Sequence, residues 1–86
     1  MLLKEYLSQK MSEYGISYRE LEQKTGIGRG NLSNYMHGIK KPRTATIIKL
    51  ATLFASIEAE YEALTEYEYN VRRAKYIVEL SELAGA

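Results

Sequence analysis

Eighty-six residues, 45% of them apolar and 27% charged, suit one compact water-soluble domain and offer too little buried surface for two. The chain has no cysteine, no aspartate and no tryptophan, and a single histidine, His37. That excludes disulfides, zinc–thiolate sites and thiol nucleophiles, so no catalytic constellation, metal site or cofactor is expected. The net charge of +1 hides a sorting of charge: residues 1–56 carry nine Lys or Arg against four Glu, and residues 57–86 carry three against seven. The basic half suits a polyanion.

Along residues 2–14, Leu3, Leu7 and Met11 recur every four positions beside Tyr6 and Tyr14, the spacing of an amphipathic helix. Gly15 stands where a left-handed terminal residue is wanted. Ser17 and Glu20 then form a capping box, flanked by Ile16 before the cap and Leu21 at the fourth helical position, a hydrophobic staple. This second helix runs to Thr25 and Gly26, about two turns, and depends on neighbours for its stability. A third short helix fits residues 29–37, with Leu32 and either Tyr35 or Met36 turned inward and Gly38 closing it. Residues 39–43 form a basic connector whose Pro42 forces the next helix to begin after it. Residues 44–55 give that fourth helix a face of Ile47, Leu50, Ala51 and Phe54. The remainder, residues 56–86, has no proline and no glycine before Gly85 and reads as helical, either as one helix or as two divided at Asn70. Its repeated glutamates mostly read as a solvated face. No run of residues nears the roughly 20 apolar positions a bilayer demands, and a membrane-free, cytoplasmic protein is expected.

Two short helices joined at Gly26, the second followed by lysines and an arginine, have the layout of a helix-turn-helix. In register, Leu21, the Thr25-Gly26-Ile27 turn, Leu32-Ser33, Gly38, Pro42 and Leu50-Ala51 resemble the Cro and phage-repressor (XRE) helix-turn-helix family, over residues 1 to about 55. The resemblance implies an all-α, lambda-repressor-like domain of four to five helices, here residues 1–56, with a C-terminal helical extension at 57–86. It also implies binding to double-stranded operator DNA, usually as a dimer on a palindrome.

On the matching positions, the resemblance places base-edge readers at Arg29, Gly30, Asn31, Ser33 and Asn34. Arg29 suits two hydrogen bonds to guanine and Asn34 a similar pair to adenine, with a phosphate contact the alternative for Arg29. Phosphate contacts fall to Ser17, Tyr18, His37, Lys40, Lys41 and Arg43, with Ser17 acting through amides near its cap. The chain departs from the family's pattern at Tyr18, where many relatives have glutamine, and at Gly28 and Gly30, where glycine loosens the first turn of the third helix. Arg43 replaces a common serine cap and leaves Thr44 as the expected substitute. In the tail, Tyr61, Leu64, Val71, Val78 and Leu80 form an apolar stripe expected to fold onto the first and fourth helices, to form a dimer interface, or both. A transcriptional regulator, of repressor type, is the reading that follows. The alternative is an antitoxin-type module that binds its own promoter and uses the C-terminal helix to hold a protein partner.

Overall fold

The computed structural model describes residues 1–85, with five helices among the described residues: α1 Leu3–Tyr14, α2 Tyr18–Thr25, α3 Arg29–Met36, α4 Thr44–Glu62 and α5 Glu66–Gly85. Gly15 ends α1 at φ 65°, a left-handed conformation that costs glycine nothing, and the amide of Ile16 donates to the Met11 carbonyl at 3.0 Å. The expected capping box starts α2: the Glu20 amide donates to Ser17 Oγ and the Ser17 amide to Glu20 Oε1, both at 3.2 Å. Ile16 and Leu21, the pair flanking it, both join the core.

Two details differ from the sequence expectations, and a third answers a point the sequence left open. The Arg43 carbonyl accepts the Ile47 amide at 3.0 Å, so Arg43 is the cap residue of α4 and Thr44 its first helical residue, not its cap. Helix α4 runs on past Ala55 to Glu62, straight through the junction expected at residues 56–57. The tail bends at Ala63, which takes φ 51°, and Asn70 lies inside α5. The new helix begins with a second capping box, in which Glu68 donates its amide to Thr65 Oγ1 at 3.2 Å and accepts the Thr65 amide at 3.1 Å. The helical tail was expected to reach residue 86, and that last position lies outside the described residues.

One core holds the five helices. Leu7, Leu21, Leu32, Leu50, Phe54 and Leu80 are fully buried and draw on every helix. Burying side chains from all five at once is what stabilises helices as short as α2 and α3. Phe54 lies between the rings of Tyr14 and Tyr76, each centroid 5.7 Å away, with Tyr76 edge-on.

A polar seam lies beside this apolar contact and fastens α5 to α1 and α4. The Glu58 carboxylate accepts from the hydroxyls of Tyr14 and Tyr76 and from the Arg72 guanidinium. Arg72 also grips Glu62 with two bonds of 2.7 and 3.0 Å. Lys10 donates to the Tyr76 hydroxyl at 2.9 Å with its Nζ 4.6 Å from that ring's centroid, and Tyr6 donates to Glu79 at 2.7 Å. Burial raises the Glu58 carboxyl, but hydrogen bonds from Tyr14, Tyr76 and Arg72, with the charge of Lys10, outweigh it and hold the pKa below the usual carboxylate value. Burial and the same carboxylate push the Tyr14 and Tyr76 hydroxyls up. Among the described residues, no helix is long and apolar enough to cross a membrane.

A candidate nucleic-acid interface

The surface of α3 follows from which of its residues the core claims. Leu32, Tyr35 and Met36 are buried, so both candidates for the inward position are inward. What remains outside is Arg29, Gly30 and Asn31, all exposed, with Ser33 and Asn34 half-buried. The structure therefore brings all five expected base readers onto the outer part of one short helix. The Arg29 side chain is 74% exposed.

The turn that holds α3 against α2 is built by Thr25, the buried polar side chain among the described residues. Its hydroxyl donates to the Leu21 carbonyl at 2.6 Å and accepts the Ile27 amide at 3.2 Å. Gly26 takes φ 72°, and Ile27 drops into the core. These bonds satisfy the polar groups of the turn and hold α3 against α2.

The far end of α3 is tied to the basic connector. The Asn34 carbonyl accepts two amides, from Ile39 at 2.9 Å and Lys40 at 3.3 Å, after Gly38 has turned at φ 70°. Lys40 is thereby held beside the end of α3, followed by Lys41 and Arg43, all exposed, while Pro42 is buried. His37 Nδ1 donates to the Ser33 carbonyl at 2.8 Å, which leaves Nε2 as the free nitrogen of the ring.

At the start of α2, Ser17 Oγ is engaged with Glu20, so a ligand anion there would meet backbone amides at the helix N-terminus, not the serine hydroxyl. Tyr18 is half-buried, with its ring against the core, and burial raises its phenol pKa. Sequence reasoning missed a polar groove between α2 and α3, about 390 Å³ in volume and lined by Arg19, Glu22, Gln23 and Arg29. The signal was present: positions 19, 22 and 23 share one helical face. Among the described residues, no group of three or more histidine or carboxylate side chains is placed to hold a metal ion.

Other exposed apolar side chains lie at the end of α4 and along α5. Tyr61, Val71 and Val78 are exposed, as is Tyr67, which the sequence reading did not single out, and Leu64 is half-buried. Leu80 departs from the expected interface: it is fully buried in the chain's own core, because its turn of α5 faces inward, and it has no surface to offer a second subunit.

The helix-turn-helix family model matches residues 7–61, which is more than half of the chain. The HTH-type transcriptional regulator ImmR of Bacillus subtilis (strain 168) is 33% identical to this chain over 61 residues, 71% of the chain and 47% of that relative. The chain thus spans about half the length of the curated relative it matches. No solved structure matches it.

Proposed function

The chain belongs to the helix-turn-helix family, and from that premise we propose that it is a sequence-specific, double-stranded DNA-binding transcriptional regulator. In this reading α3 enters the major groove and the cations behind it clasp the adjacent strand. The observation that carries it is the exposed outer part of α3, continued by Lys40, Lys41 and Arg43 at the surface, within a stretch from Glu22 to Glu58 that has no acidic residue between its ends. Between those two glutamates every charged side chain is a cation, which favours a polyanion.

Arg29, Gly30, Asn31, Ser33 and Asn34 read base edges; the α2 amides near Ser17, with Tyr18, His37, Lys40, Lys41 and Arg43, hold phosphates and set the register. The regulator acts as a repressor, a dimer seated on a palindromic operator. Its two recognition helices lie one DNA turn apart, about 34 Å. Tyr61, Leu64, Val71 and Val78 form the subunit contact. Exposed apolar side chains at the end of α4 and along α5 support this, being of the kind a second subunit would cover.

Selection of bound fragments from a random duplex pool tests the reading. A motif with two-fold symmetry and half-sites about one helical turn apart is expected. Retention of no duplex of any sequence in dilute salt refutes it. The same patch suits a protein partner of an antitoxin-type module, and a monomer that copurifies with a second small protein decides for that.

A further inference from the structure

One carboxylate lies where a polyanion-binding surface should have none. Glu22 lines the α2–α3 groove, and its Oε2 is 3.8 Å from Nε of Arg29, the arginine proposed above to read a base. Any acid at this position repels phosphate and lowers affinity for every DNA sequence. Its side chain, 38% exposed, is no part of the core, so packing does not explain it.

The geometry supplies another explanation. An arginine at the start of a recognition helix has two competing uses, a nearby phosphate or a guanine edge, and a long flexible stem lets it swing between them. Glu22 approaches Arg29 from the α2 side, at the Nε edge of the guanidinium. Among the described residues no hydrogen bond or ion pair engages the opposite edge with its terminal nitrogens, and that edge has the fork that matches guanine O6 and N7. In the free chain such an exposed pair contributes little. When DNA covers the groove and water leaves, the local dielectric falls and the attraction strengthens at the moment a choice between phosphate and base is made.

We propose that Glu22 is a positioning residue that holds Arg29 toward a base edge and away from the phosphates, trading general affinity for discrimination. The proposal rests on the DNA-binding reading above. Arg19 and Gln23, exposed on the same groove, complete its polar wall.

The test measures binding of the parent chain, Glu22→Gln, Glu22→Ala, Arg29→Ala and the double variant Glu22→Ala/Arg29→Ala. The probes are the tightest duplex from the random pool, its single-pair variants and an unrelated duplex. Both Glu22 variants should bind the unrelated duplex several-fold more tightly. They should also lose about tenfold discrimination at one base pair, the same pair that Arg29→Ala flattens. In the Arg29→Ala background, removing Glu22 should change discrimination no further. Thermal melting that matches the parent excludes a folding defect in the single variants. Unchanged discrimination at that pair overturns the proposal, and so does a loss at a different pair, which would make Glu22 a reader itself; both leave the DNA-binding reading standing. A parent chain that binds no duplex removes both.

Discussion

Replacing Glu58 with glutamine keeps the size of the side chain and removes the charge that the α1–α4–α5 seam is built around. Its side chain is only 14% exposed, so water cannot take over the role of its partners. A hydrogen bond to a charged group contributes about 1.5–3 kcal/mol. Two such bonds come from Tyr14 and Tyr76, and glutamine's carbonyl retains a weaker version of them. Arg72 keeps its paired bonds to Glu62, so its loss is small. Weighing these gives a destabilisation of about 2–4 kcal/mol, a large part of the 5–15 kcal/mol typical of small domains. In urea, with a slope near 1 kcal/mol per molar for a chain of this size, the midpoint should fall by about 2 M or more. The pH dependence gives a second check. A carboxyl with a depressed folded-state pKa stabilises fully above its unfolded value, 4.5, and loses that contribution as pH falls through the lower folded value. The gap between parent and Glu58→Gln should therefore be widest near neutrality and close progressively below pH 4.5. A gap under about 0.5 kcal/mol at pH 7, within the range of surface substitutions, or one that persists unchanged in acid, refutes the reasoning.

Leu80→Ala should cost about 2–5 kcal/mol in denaturant titrations, because α5 shares the core; a change below 1 kcal/mol would mean that α5 packs loosely. A Cβ on Gly30 would meet no described atom within 4 Å, so Gly30→Ala should raise stability by up to about 1 kcal/mol, seen as a higher melting temperature. Val71→Glu should leave the melting temperature of the monomer nearly unchanged and abolish self-association in sedimentation, since Val71 is 52% exposed. Lys41→Ala should weaken binding to all duplexes alike and lower the salt slope by about one ion, whereas Arg29→Ala should act on one base pair.

The contrast between the turns at glycine and the bend at Ala63 shows what the sequence revealed and what it did not. Gly15, Gly26 and Gly38 mark turns because each takes a positive φ that other residues resist, and a reader of the sequence can use that. Ala63 takes a positive φ without being glycine, so the α4–α5 bend carried no such mark. Its Thr65–Glu68 capping box was legible all the same, in the same spacing that located the start of α2. The recognition surface could be read because amphipathic spacing separates Leu32, Tyr35 and Met36 from the polar side of α3. Glu58 could not, since nothing local distinguishes it from the solvated Glu60. Its partners Lys10 and Tyr14 come from α1 and Arg72 and Tyr76 from α5, and only the packing of α1, α4 and α5 brings them together.

Helix α4 carries a consequence of its own. It is a continuous rod of 19 residues, about 28 Å long, with Arg43 and the basic connector at its start and Glu60 and Glu62 in its last turn. A helix macrodipole favours the reverse placement, acids first and bases last, each worth about 0.3–1 kcal/mol. The charges on α4 thus add to its macrodipole instead of neutralising it, and the helix is less stable for it. What results is a helix whose own charge is polarised along its axis, with its cationic start facing the surface that the basic connector occupies.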